Sequence, residues 1–180
     1  SARSAAAFAQ QFAGWAMEEK LDGHRCMVRV AAGQVEAWSR PRAGAKAANR
    51  RALQPAMAKV LAQLPDGVYD GELVAATGKA WNVVEVNAHL VLVLFDVLEQ
   101  GDHDLTYAPY TERRARLLAA LRHLPAKQQA VSTVESVEPS WGAVERIWAR
   151  GGEGVILKRL GSSYRPGARS ADWLKVKQQR

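Results

Sequence analysis

Lys20-Leu21-Asp22-Gly23-His24-Arg25 gathers an amine, a carboxylate, a glycine turn and a guanidinium into one short stretch. A lysine amine attacks only when unprotonated, and a free lysine, with a pKa of about 10.4, is almost wholly protonated at neutral pH. Partial burial, neighbouring cations or a bound metal would each lower that value. Arg25, Lys175 and Lys177 are the cations that could surround Lys20 if the later segments converge on it. Those segments follow in order: Asp70-Gly71-Glu72-Leu73, Phe95-Asp96, Glu153-Gly154-Val155-Ile156-Leu157-Lys158 and Trp173-Leu174-Lys175-Val176-Lys177. A strand sends alternate side chains to opposite faces, so Lys175 and Lys177 share one face while Leu174 and Val176 share the other. Two lysines side by side on a strand repel unless an anion sits between them. Asp70 and Glu72 share a strand face in the same way, with Gly71 between them.

The elements that must carry these groups mix helical and strand periods, which predicts a mixed α and β domain. Leu53, Met57, Val60, Leu61 and Leu64 form one apolar face of a helix over 51–64. Pro65-Asp66-Gly67 stops it and turns the chain into a strand over 68–75. The almost continuous apolar run over 90–98 reads as a strand buried on both faces, with Phe95 in its core. A second helix begins at Pro109, its buried stripe being Leu117, Leu118, Leu121 and Leu124. Thr111-Glu112-Arg113-Arg114 reads as its charged first turn, with no part in catalysis. A third helix spans 139–150 and ends at Gly151-Gly152. Segments 155–157 and 173–176 are further strands. With no internal repeat and no low-complexity linker, one domain over 1–180 is expected.

With 48% hydrophobic and 24% charged residues, the 180-residue chain has the composition of an ordinary globular protein. No apolar run reaches membrane-spanning length, and the alanine-rich start lacks the apolar core of a signal peptide. A single cysteine, Cys26, excludes an internal disulfide and suits a reducing cytoplasm. The net charge of +7, from 25 Lys+Arg against 18 Asp+Glu, favours a polyanionic partner, nucleic acid before membrane. Arg40, Arg42, Lys46, Arg50 and Arg51 form a basic cluster that could track backbone phosphates without sequence preference; a solvated loop and helix face is the alternative. His24, His89, His103 and His123 show no metal-ligand spacing. Trp15, Trp38, Trp81, Trp141 and Trp148 are read as core or half-buried residues, with Trp15 a lesser candidate to lie beside a nucleotide.

The ordered motif set resembles that of the nucleotidyltransferase domain of ATP-dependent DNA ligases, over nearly the whole chain. The resemblance implies an α+β, ATP-grasp-like nucleotidyltransferase fold with antiparallel sheets flanked by helices. It implies that Lys20 attacks the α-phosphorus of ATP, forming a lysyl-AMP phosphoramidate and releasing pyrophosphate. AMP would then pass to the 5′-phosphate of nicked double-stranded DNA, and the 3′-OH would seal the nick. Lys175 and Lys177 would hold the α-phosphate, which stabilises charge developing on the phosphoryl oxygens. Glu72 would bind the ribose hydroxyls or a metal, Glu153 a metal, and Phe95 would stack on adenine. Asp70 would brace the site through hydrogen bonds. Glu18 would contribute adenine contacts through backbone groups, and Arg25 would approach the 5′-phosphate. Arg40, in Ser39-Arg40, and Arg169, in the stretch from Tyr164 to Ser170, match phosphate and nucleotide contacts. Hard oxygen ligands and a phosphate substrate favour Mg²⁺, with Mn²⁺ a substitute.

Arg25 also separates the chain from NAD-dependent bacterial ligases, which usually carry alanine there, so ATP is the expected cofactor. RNA ligases and GTP-dependent mRNA capping enzymes share the Lys-x-Asp-Gly core and are the enzymatic alternatives. A non-catalytic nucleic-acid-binding module is the other. Ligases of this type continue past the lysine strand into an OB-fold domain, whereas this chain stops at Arg180. The expectation is therefore an isolated adenylation domain, monomeric, cytoplasmic in a bacterial or virus-infected cell, and slow to load AMP by itself.

Overall fold

The computed structural model describes residues 2–39, 49–75, 89–167 and 170–178. Arg40, Arg42, Lys46, Trp81 and Arg169 lie outside the described residues. In chain order the elements begin with α1 (Ala2–Gln11), β1 (Trp15–Glu19), β2 (His24–Ala31), β3 (Gln34–Trp38), α2 (Pro55–Leu61) and β4 (Gly67–Ala75). They continue with β5 (Leu90–Gln100), β6 (His103–Asp104), α3 (Tyr110–Leu121), β7 (Val131–Thr133) and β8 (Ser136–Val137). Last come α4 (Trp141–Ala149), β9 (Gly154–Arg159) and β10 (Trp173–Lys177). The residues of the expected single domain divide into two compact units. Unit 1 is Ser1–Leu21, Ala108–Thr111 and Val134–Arg180; unit 2 is Asp22–Tyr107 and Glu112–Thr133.

Unit 1 is built on an antiparallel sheet in the order β10-β9-β1-β8. Strand alternation sends Met17, Val155, Leu157 and Val176 to one face, where they pack with Phe8 and Phe12 of the α1 segment and with Val144 and Ile147 of α4. Helix α4 ends as the double glycine predicts: Gly152 N–H donates to Ile147 O and Gly151 N–H to Trp148 O, both at 2.9 Å. It starts at Trp141, two residues later than expected, after Ser140 in an extended conformation. Gly154 admits β10, because a Cβ there would lie 2.0 Å from the Val176 carbonyl oxygen.

Unit 2 is a sheet in the order β3-β2-β4-β5-β6, antiparallel except for the short β5–β7 pair. Cys26, Val28, Tyr69, Leu73, Leu92, Leu94 and Val97 face Met57 and Leu61 of α2 and Leu117 and Ala120 of α3. Burying each large apolar side chain contributes about 1.5–3 kcal/mol. Strand β5 is buried along most of its length, as its apolar run predicts. Helix α2 is shorter than the periodic pattern over 51–64: Gln54 is extended before Pro55, which occupies the first turn. Leu53 and Leu64 still pack on the core from outside the helix.

The stripe of α3 differs from its apolar reading. Leu118 is 42% exposed, whereas Arg113 is fully buried in line with Leu117 and Ala120. The Arg113 Nε donates to Asp96 Oδ1 at 2.7 Å and Nη2 to Oδ2 at 3.1 Å. A carboxylate buried in the sheet thus selects the helix face, and Leu118, one residue round from Leu117, turns outward. Removing either partner strands a charge in the core. Arg113→Met should therefore lower the unfolding free energy by about 3–5 kcal/mol, while Leu118→Ala should cost less than about 0.5 kcal/mol. Urea denaturation followed by circular dichroism measures both, and equal losses would sink the assignment.

Candidate active site

The sheet face of unit 1 opposite its hydrophobic core carries the charged motifs. The register pairs Glu18 with Ile156, Lys175 with Ile156, Trp173 with Lys158 and Lys177 with Gly154. The backbone N–H of Lys20, just past β1, donates to Gly154 O at 2.9 Å, so the amine-bearing residue is held to the start of β9. Glu153 precedes that point and its carboxylate joins two lysines. Lys20 Nζ donates to Oε2, and Lys177 Nζ lies 2.5 Å from Oε1. Burial pushes the Glu153 carboxyl up, but the hydrogen bonds and charges of Lys177 and Lys20 outweigh it and hold the group below the ordinary carboxylate range. Lys175 stands on the same face, as strand alternation predicts, and is exposed.

Deeper on this face lies a network the motif reading did not assign. Glu18 and Lys158 are buried and their charges meet at 2.6 Å. Tyr110 Oη donates to the other Glu18 oxygen at 2.6 Å and lies 2.7 Å from Ser136 Oγ. The Lys158 ammonium sits 4.2 Å from the Trp173 ring centroid, a cation–π contact. Both Glu18 carboxylate oxygens are thus engaged within the protein. Lys158 closes the Glu153–Lys158 motif, and the sequence signal for its partner is the two-residue alternation that puts Gly154, Ile156 and Lys158 on one face.

In unit 2, Arg25 faces Glu72 across the β2–β4 pair but forks onto Asp70, Nε to Oδ1 at 2.5 Å and Nη2 to Oδ2. The fully buried Asp70 is braced in this way. Arg25 also covers the Phe95 ring, its Cζ 4.6 Å from the centroid, and Phe95 is only 8% exposed. Asp70 and Glu72 share the sheet face away from the core, and Glu72 is half-buried. Gly23 permits the motif's turn: a Cβ there would lie 2.1 Å from the Leu73 carbonyl oxygen.

Among the described residues, no group of three or more His, Cys, Asp or Glu side chains gathers as a metal cage. Mg²⁺ usually keeps several waters and takes one or two carboxylates beside substrate phosphates. The hard oxygens of Glu153, next to cations suited to phosphate, fit such an ion without a cage.

The family model described as the ATP dependent DNA ligase domain matches residues 2–177. A probable DNA ligase of Anaeromyxobacter dehalogenans is 32% identical over 185 residues, covering 90% of this chain and 34% of the relative. The multifunctional non-homologous end joining protein LigD of Pseudomonas aeruginosa is 35% identical over 174 residues, covering 91% of this chain and 20% of that protein. The chain thus spans about a third or less of these relatives. Among solved structures, a mycobacterial DNA ligase D complexed with ATP and MES superposes with a TM-score of 0.74 at 28% identity, covering 92% of this chain and 55% of that one.

Because the folded Glu153 titrates below its unfolded value, its ion pairs contribute stability that is complete above the ordinary glutamate pKa of about 4.3. That contribution is lost as pH falls through the depressed folded value. A carboxyl-carbon NMR titration should find Glu153 depressed in the wild type and shifted back upward in Lys177→Ala. An unchanged midpoint in that variant would show that the lysine does not set it.

Proposed function

The chain belongs to the ATP-dependent DNA ligase domain family, and on that footing we propose that residues 1–180 are the adenylation domain of a ligase, with Lys20 as the covalent carrier of AMP. The observation that carries this reading is the set Lys20, Glu153 and Lys177 on one sheet face, with Lys175 beside it. Lys20 Nζ attacks the α-phosphorus of ATP; the N–P bond forms, the bond to the β-phosphate oxygen breaks, and pyrophosphate leaves. Lys175 and Lys177 stabilise the charge that develops on the phosphoryl oxygens. When bound, Mg²⁺ (or Mn²⁺) held by Glu153 neutralises charge on the substrate phosphates.

Glu18 supplies adenine contacts through its backbone, since its carboxylate is committed to Lys158 and Tyr110. The resemblance alone assigns Phe95 to adenine, Glu72 to the ribose or the metal, and Arg25 to the 5′-phosphate. AMP then passes to the 5′-phosphate of nicked double-stranded DNA, and the 3′-OH displaces it to seal the strand. The protein works as a monomer in the cytoplasm. Among the described residues, no helix is long and apolar enough to cross a membrane.

Incubation with ATP and Mg²⁺ should add the mass of one adenylate, and Lys20→Ala should abolish it. Nick sealing by the full-length ligase should be lost in the same variant. Intact-mass spectrometry and a nicked-duplex assay read both outcomes. Transfer of GMP instead of AMP would favour the capping alternative, and DNA binding with no adduct in any setting would favour a binding module; either overturns the ligase reading.

A further inference from the structure

Glu153 sits in a turn rich in glycine, Gly151-Gly152-Glu153-Gly154. Gly151 takes a φ of +84° and Gly154 one of +145°. Glycine leaves the backbone more conformations than any other residue does, so this turn has little stiffness of its own. Hydrogen bonds to Trp148 O and Ile147 O hold its first half to the end of α4. Beyond Glu153, the bond from Lys20 N–H to Gly154 O joins it to the chain just past β1. The contact between Lys20 and Glu153 therefore depends on how firmly the end of β1 and this turn are held to each other.

Glu19, the last residue of β1, makes such a connection. Alternation sends Glu18 to the charged face and Glu19 to the opposite one, with Met17, where α4 packs. There Glu19 Oε2 accepts a hydrogen bond from Nη2 of Arg150, the C-cap residue of α4. Its other oxygen lies over Gly152: a Cβ on that glycine would be 3.2 Å from Oε1 and 2.6 Å from Ile147 Cγ2. Glu19 immediately precedes Lys20, and Gly152 immediately precedes Glu153. One carboxylate thus links the two segments a single residue before each reacting group, from the far side of the sheet.

We propose that Glu19 and Arg150 are positioning residues, a brace that sets Lys20 against Glu153 from behind. The brace stands on the geometry alone; its effect on adenylation rests on the ligase reading. Neither residue is among those to which the family resemblance assigns a role. Arg150 is 61% exposed and Glu19 32%, and such a pair contributes little to global stability because solvent screens it. Its action is local. It restrains a turn that glycine leaves loose, and small misplacements of a nucleophile cost rate steeply. Gly152 contributes by its missing side chain, which lets the carboxylate approach.

Two other roles for these charges make different predictions. A cation at the C-terminus of α4 favours the helix dipole by itself, and a carboxylate beside Lys20 acts on the amine through its charge. In those roles the two residues act independently, and the effects of substituting them multiply. In a brace, losing either partner releases the turn, and losing the second adds nothing.

Amide hydrogen exchange followed by NMR reads the brace with no nucleotide present. In Glu19→Gln and in Arg150→Met the Lys20 N–H should exchange about fivefold faster than in the wild type, equivalent to about 1 kcal/mol. The Leu94 amide, in the core strand of unit 2, should keep its rate, which separates local release from unfolding. The double variant should exchange no faster than either single one, and Arg150→Lys should stay near the wild type. Unchanged Lys20 exchange in both single variants, or effects that multiply in the double, would overturn the proposal. Single-turnover adenylation followed by intact mass reads the consequence. The same variants should form lysyl-AMP about fivefold more slowly, with the ATP concentration for half-maximal rate unchanged, since Lys175 and Lys177 stand on β10 outside the brace. Faster exchange with undiminished adenylation would sink the positioning role. If the wild type forms no lysyl-AMP, the ligase reading fails, and the exchange rates still decide the brace.

Discussion

A carboxylate leaves water at a cost of several kcal/mol unless a cation and hydrogen-bond donors meet it, and three such meetings organise this protein. Glu18 meets Lys158 and Tyr110 in unit 1, while Asp70 meets Arg25 and Asp96 meets Arg113 in unit 2. Each pair joins residues distant in sequence and fixes the elements that carry the chemistry. Glu18 lies on β1 two residues before Lys20, and Lys158 lies on β9 a few residues after Glu153. A slip of one residue between β1 and β9 would send the motif lysine and its partners to the hydrophobic face. The buried ion pair therefore guards the register on which the lysine–carboxylate set depends.

Exposure then separates structural charge from charge available to a ligand. Along the charged face of unit 1, the Lys158 side chain is 1% exposed, Lys20 16% and Lys177 52%. Lys158 is paired with buried Glu18 inside the protein and sets position. Lys20 and Lys177 share a single carboxylate and retain solvent access, so an incoming phosphate can compete for them. The same sorting holds in unit 2, where the fork of Arg25 is committed to buried Asp70 while Arg51 makes no ion pair among the described residues. Motif membership and ligand availability are thus different properties of an arginine.

Strands and their faces were largely legible from residue order. The β5 run, the alternation of Lys175 and Lys177 and the glycine stop of α4 all appear as their local chemistry requires. Helix ends were less so: α2 waits for Pro55, because the residue before a proline is driven out of the helical region. The stripe of α3 departs from its apolar pattern at Leu118 for a different reason. Arg113 falls on the apolar side, and a charged residue counts as surface until its buried partner is known.

The order of motifs, with the spacing of their lysines and carboxylates, by itself determined the family resemblance and the identity of Lys20 as nucleophile candidate. Local backbone physics determined which of those residues share a strand face, since alternation is a property of the strand alone. Tertiary structure decided how the charges are partnered: Glu153 between Lys20 and Lys177, Glu18 with Lys158 and Tyr110, Asp96 with Arg113, and Arg51 without a counter-ion among the described residues. Charge pairing depends on distance and desolvation between segments remote in sequence, and neither quantity exists until the chain has folded.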